Sequence, residues 1–166
     1  MNGAKGHVSV AREAQPMDQP RLEAWGWELG RSAAAHGLFV CLRGELGAGK
    51  STLARAACRG AGVRGPIPSP TFTLINRYST LKGHVYHADL YRLKGPEDLS
   101  DIGWEDLLDA EGAVFVEWPD RAGGRLPPDR WDIELLFVDD PDRRSIIARS
   151  VGKAPALPDF PPGEGA

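Results

Sequence analysis

Cysteine is scarce in this chain: its 166 residues contain two, Cys41 inside an apolar run and Cys58 in a helix-compatible stretch, and neither belongs to a paired metal-ligand spacing. A disulfide framework and a cysteine zinc site are therefore excluded, and both thiols read as small buried hydrophobes. No apolar stretch approaches the ~20 residues of a membrane helix, and the opening Met1-Asn2-Gly3-Ala4-Lys5-Gly6-His7 has no apolar signal-peptide core. The expectation is a cytoplasmic chain without membrane contact. An excess of positive charge is also missing, the formal net charge being −3. Independent tight binding to a nucleic-acid backbone is not indicated, so a protein partner would have to supply any such surface. Gly and Pro, at 20 and 14 residues, stay below the low-complexity range, and no internal repeat is visible. The length suits one domain with one core.

What is present is concentrated in one segment. Gly44-Glu45-Leu46-Gly47-Ala48-Gly49-Lys50-Ser51-Thr52 follows the apolar run Leu38-Phe39-Val40-Cys41-Leu42 and leads into a helix-compatible stretch. This is the G-x-x-x-x-G-K-[ST] pattern in its required strand-loop-helix context. Glycines let the backbone curl around phosphate oxygens, and N–H groups at the helix start face the anion. Glu45, Leu46, Gly47, Ala48, Gly49, Lys50, Ser51 and Thr52 form the expected nucleotide cradle. Lys50 would reach the β and γ phosphates, and the Ser51 hydroxyl would meet Mg²⁺.

The surrounding pattern predicts an α/β chain: a single-domain P-loop NTPase with a mixed, mostly parallel central sheet, flanking helices and a C-terminal β-hairpin. Asp18 and Pro20 open a helix whose apolar positions Leu22, Trp25, Leu29 and Ala33 share a face, and Gly37 closes it. Trp25 and Trp27 fall on different sides. The run 38–42 is uninterrupted by charge, as in a central strand covered on both faces. The stretch 69–78 reads as loop then strand, pairing with 84–89 as an antiparallel hairpin. Pro96 starts a short helix that Gly103 interrupts before a second at 104–110. The run 113–117 is another buried strand, the passage through Gly123-Gly124 and Pro127-Pro128 is a loop, and 131–138 and 145–151 form a hairpin turned by Asp139-Asp140-Pro141-Asp142. Residues 1–17 read as a short lead, 18–152 as the P-loop domain, and 153–166, dense in proline, as a flexible tail.

Phosphoryl transfer needs a metal, charge cover and an oriented nucleophile, which directs attention to carboxylates at strand ends. Glu117 ends the run 113–116 and is the candidate metal acid, directly or through a bound water. Asp89 ends the strand before Leu90-Tyr91-Arg92; it can face the γ-phosphate or cap the following turn, and both readings stand at this point. Lys50, Asp89 and Glu117 are the candidate catalytic residues. His84 and His87, three apart in a strand, face opposite ways and read as structural histidines. Ser69 and Thr71 lie on a Pro-restricted loop that can act as a switch, Thr71 offering a hydroxyl near Mg²⁺ or an ordinary turn contact.

The phosphate loop together with Ser69-Pro70-Thr71-Phe72-Thr73-Leu74, His87-Ala88-Asp89-Leu90-Tyr91-Arg92 and Glu117-Trp118, in that order, closely resembles the TsaE (YjeE) family of bacterial ATPases over about residues 20–150. The resemblance implies that Ser51 and Glu117 hold Mg²⁺, that residues 45–52 cradle ATP, and that Asp89 and the 69–73 loop complete a hydrolytic site. It further implies action with TsaB and TsaD in forming N6-threonylcarbamoyladenosine at position 37 of tRNA, with tRNA met only through those partners. Two departures are visible. The family usually has Thr where Ser51 stands, which preserves the hydroxyl; it often has Thr near the start of the first helix, where Leu22 lies. Preference for ATP over GTP also comes from the resemblance, since no N-K-x-D base-reading motif is present.

Two other functions fit a phosphate loop. A small metabolite kinase would need an arginine-rich lid, whereas Asp120-Arg121-Ala122-Gly123-Gly124-Arg125 is short and has two arginines. A nucleotide-gated binding module with negligible turnover differs from an ATPase mainly in rate.

Overall fold

The computed structural model describes residues 11–163. Seven strands form one sheet in the order β1-β7-β6-β2-β5-β4-β3. They are β1 (Arg12–Asp18), β2 (Phe39–Arg43), β3 (Ile75–Thr80), β4 (Gly83–Asp89), β5 (Ala113–Glu117), β6 (Arg130–Phe137) and β7 (Arg143–Val151). The inner pairs β4/β5, β5/β2 and β2/β6 are parallel, whereas β1, β3 and β7 each pair antiparallel with their neighbours. The expected mixed sheet with a C-terminal hairpin is therefore present. Among the described residues no helix is long and apolar enough to cross a membrane.

Helix α1 (Gln19–His36) begins where Asp18 caps it, its carboxylate accepting from Arg21 N at 3.1 Å, and ends at Gly37 in the left-handed region with φ 61°. Its Leu22, Trp25, Gly26, Leu29, Gly30 and Ala33 are buried. The glycines matter because α1 lies tight against α2 (Lys50–Gly60): a Cβ on Gly30 would come within 1.8 Å of the Ala57 carbonyl oxygen. Strand β2 sends Val40 and Leu42 to the core under these helices, and Phe39 and Cys41 to a second core containing Leu90, Leu99 and Trp104. Both faces are covered, which is why residues 38–42 show no polar alternation. The helical stretch after Pro96 is a 3₁₀ segment, Pro96–Ile102, followed by the short α3 (Trp104–Leu108). Two short 3₁₀ turns between Pro119 and Arg125, separated by a kink at Gly123 with φ 56° and ψ −127°, occupy part of the stretch read as loop.

The reading of 1–17 as a lead and 153–166 as a flexible tail needs correction within the described residues. β1 is a full edge strand whose buried residues, Ala14 and Met17, are an odd number apart. Strict alternation would put them on opposite faces; a bulge between Ala14 and Met17 inserts the extra residue that turns both inward. Pro16 sits at this bulge on an edge strand, where a missing N–H is tolerated.

Residues 153–163 run across the same core. Trp131 Nε1 donates to the Pro155 carbonyl at 2.7 Å and Trp25 Nε1 to that of Pro158 at 3.4 Å. Leu157 is buried, and Phe160 packs on Trp25 with ring centroids 5.0 Å apart. Proline excludes helix and sheet here, but its carbonyl still accepts, and indole donors use that capacity.

Candidate active site

Parallel pairing brings three strand ends together. Leu42 lies opposite Glu117, and Glu117 opposite Asp89, so the loop after β2 emerges beside two carboxylates. This is the crevice at the carboxyl ends of parallel strands where α/β sheets place ligands.

The loop itself is curled. Gly44, Gly47 and Gly49 have φ of 147°, 81° and 107°. A Cβ on Gly44 would lie 2.8 Å from the Leu135 carbonyl oxygen, whereas one on Gly47 would meet nothing within 4 Å. Gly47 thus faces open space, and Gly44 supports the loop from below. Lys50, Ser51 and Thr52 form the first turn of α2, and this helix start has no side-chain cap, unlike that of α1. Its orphan N–H groups are available to an anion. Glu45 and Leu46 are exposed at the outer bend, and Ala48 is buried.

Lys50 reaches back over the loop, its Nζ donating to the carbonyls of Gly44 at 2.7 Å and Glu45 at 2.8 Å. The ring of Trp118 lies 4.2 Å from the ammonium. Burial lowers the Lys50 pKa from the ordinary lysine range, and the carboxylates of Glu117 and Asp89 oppose that shift. Ser51 Oγ donates to Glu117 Oε1 at 2.7 Å, and the other oxygen of Glu117 lies 2.7 Å from His87 Nε2. Asp89 is buried, and burial raises its carboxyl above the usual range. Its Oδ1 accepts from Tyr91 N at 3.0 Å, so the turn-capping reading is realised in a residue that also stands beside the loop.

Ser69 and Thr71 lie on the approach to β3, their hydroxyls 2.6 Å from each other. Leu74 ends this loop with φ 66°, its carbonyl accepting from Asp89 N at 2.8 Å. The loop is thus tied through its backbone to the end of β4. Phe72 at its tip is 82% exposed, with the Arg92 guanidinium 4.4 Å from its ring centroid.

Three residues gain a place that sequence reasoning did not give them. His87 was read as structural, yet it contacts Glu117; the available signal was that His87 and Asp89, two apart in a strand, share a face. Trp118 follows Glu117 with φ 57° and ψ 49°, a left-handed conformation rare outside glycine, and packs on Tyr91 with centroids 5.0 Å apart. Arg144 on β7 donates from Nε to the Ala48 carbonyl at 3.1 Å, bracing the loop across 96 residues of sequence. No local pattern announces a contact that remote.

A cavity of about 390 Å³ opens beside the loop, lined by Met17, Leu22, Gly49, Thr52, Asp142 and Arg144 among others. Leu22 contributes an apolar wall there.

The family described as threonylcarbamoyl adenosine biosynthesis protein TsaE matches residues 17–146. Several proteins named tRNA threonylcarbamoyladenosine biosynthesis protein TsaE are similar to the chain. That of Treponema pallidum is 36% identical over 84% of this chain and 98% of its own length, and that of Aquifex aeolicus is 43% identical over 66% and 76%. The crystal structure of YdiB from Bacillus subtilis superposes with a TM-score of 0.68 at 27% identity, covering 88% of this chain and 89% of that one.

Proposed function

Because the chain belongs to the TsaE family, we propose that it is a Mg²⁺-dependent ATPase serving tRNA threonylcarbamoyladenosine biosynthesis. In this reading it supports a TsaB–TsaD complex in forming N6-threonylcarbamoyladenosine at position 37 of tRNA, works in the cytoplasm, and meets tRNA through those partners. The observation that carries the reading is the 2.7 Å hydrogen bond between Ser51 Oγ and Glu117 Oε1 beside an uncapped helix start. A hydroxyl and a carboxylate brought together in this way are hard oxygen donors suited to a magnesium ion, which holds few protein ligands and keeps several waters. When bound, Mg²⁺ would neutralise charge on the terminal phosphates.

The chain's own residues take the remaining roles. Residues 45–52 wrap the phosphates with backbone N–H groups, and Lys50 exchanges its loop carbonyls for phosphate oxygens. Glu117 would hold the metal with Ser51. Asp89, whose Oδ1 is engaged by Tyr91, uses Oδ2 to orient the attacking water. Ser69 and Thr71 form the switch loop, coupled to the site through the Leu74 to Asp89 backbone bond. The cavity between Leu22, Thr52 and Arg144 receives the nucleoside. A metabolite kinase is disfavoured because the segment that would serve as lid, 120–125, is short and has two arginines, of which Arg125 pairs with Glu105.

Equilibrium binding of ATP with and without Mg²⁺ tests the assignment. Lys50→Ala should weaken ATP binding by roughly 100-fold, the scale of a lost charge-assisted phosphate contact. Glu117→Ala should retain ATP binding in EDTA and lose most of the enhancement by Mg²⁺. Unchanged Mg²⁺ enhancement in Glu117→Ala would overturn the metal assignment.

A further inference from the structure

Both oxygens of Glu117 are already engaged: Oε1 accepts from Ser51, and Oε2 lies 2.7 Å from His87 Nε2. The His87 and Glu117 side chains are 1% and 2% exposed, so water does not compete for either group. A carboxylate accepts and does not donate, which places a proton on Nε2. Nδ1 is buried and, among the described residues, has no hydrogen-bond partner. A lone pair left there is tolerated better than a stranded N–H. The contact is diagonal in the sheet: His87 stands opposite Phe115, Asp89 opposite Glu117, and His87 reaches along their common face to the carboxylate one pair further on.

We infer that His87 is the positioning residue of Glu117. Its Nε2–H takes up Oε2, fixes rotation of the carboxylate about its terminal bond, and turns Oε1 toward Ser51 and the phosphate loop. This rests on the Mg²⁺ reading of Ser51 and Glu117 given above. Partners that orient a ligating group commonly influence metal affinity by 10–100-fold. His87 touches neither nucleotide nor metal in this scheme and acts only through Glu117.

The experiment compares the wild-type full chain with His87→Asn and His87→Gln. A glutamine amide nitrogen falls near the former Nε2 position and can restore the donor, whereas asparagine is too short. Binding of a fluorescent ATP analogue is measured across a Mg²⁺ titration and in EDTA. In His87→Asn the half-saturating Mg²⁺ concentration should rise roughly tenfold or more, and His87→Gln should recover most of that loss. Affinity in EDTA should be the same in all three chains, a result that general loosening of the fold would not give. Unchanged Mg²⁺ dependence in His87→Asn, or an equal loss with and without Mg²⁺, overturns the inference. On the wild-type chain, long-range ¹H–¹⁵N NMR correlations should show the His87 proton on Nε2; a proton on Nδ1 alone overturns the inference even where His87→Asn does not fold. A wild-type chain whose nucleotide binding ignores Mg²⁺ removes the parent reading and this inference with it. A normal wild-type response with an indifferent His87→Asn removes this inference alone.

Discussion

Trp118 offers a test of backbone strain beside the glycine-rich loop. Its φ of 57° and ψ of 49° place an aromatic residue in the left-handed region, which disfavours a residue with Cβ by about 1–2 kcal/mol. The ring offsets that strain through its tilted stack with Tyr91 at 5.0 Å and the Lys50 ammonium at 4.2 Å. Contacts of these kinds contribute about 0.5–1.5 kcal/mol and 0.5–1 kcal/mol respectively. Trp118→Ala loses the ring and keeps the strain, so it should destabilise the chain by about 1–3 kcal/mol. Trp118→Gly loses the ring and relieves the strain, less the ~0.5–1 kcal/mol that glycine's extra freedom costs on folding. The glycine variant should therefore be the more stable of the two by about 0.7 kcal/mol, or ~0.3 M in urea midpoint at a slope near 2 kcal/mol/M. Equilibrium urea unfolding of both variants gives the answer. An alanine variant equal to or more stable than the glycine variant would refute the strain argument, because ring loss is common to both.

Gly30→Ala should strongly destabilise the chain, by about 3 kcal/mol or more, because the new Cβ would lie 1.8 Å from the Ala57 carbonyl oxygen and α1 must move off α2; thermal unfolding reads it, and a near-neutral result would contradict the packing. Truncation after Gly152 removes buried Leu157 and leaves the Trp25 and Trp131 indole N–H groups without their acceptors. A loss of about 4 kcal/mol is expected in urea unfolding, and unchanged stability would return this segment to the status of a tail. Burial pushes the Cys58 thiol up to about 12 and the Cys41 thiol higher still, so the thiolate is disfavoured across the neutral range. A thiol reagent at pH 8 should label neither cysteine in the native chain and both in guanidinium; rapid native labelling would contradict their burial.

The parts legible in the sequence were those with local causes. Asp18, Pro20 and Gly37 mark the ends of α1 by capping chemistry, and the structure places that helix at Gln19–His36. The phosphate loop declares itself because its glycines, lysine and hydroxyl are adjacent in the chain. Glu117 and Asp89 could be singled out because each ends a strand, although their alignment depends on β4 and β5 pairing in register. β1 was illegible because its bulge breaks the alternation that identifies a strand. The packing of residues 153–163 was hidden for another reason: the proline pattern forbids regular structure without revealing that Trp25 and Trp131 need acceptors. Arg144 and the His87–Glu117 contact arise from long-range pairing and leave little or no local mark.

Steady-state ATP hydrolysis with Mg²⁺, alone and with a purified TsaB–TsaD complex, tests the proposed function most directly, with Lys50→Ala as the blank. The account predicts weak turnover by the chain alone, stimulation by the complex, and no activity above background in Lys50→Ala. Clear ATP binding without stimulation, or full turnover in Lys50→Ala, would contradict it.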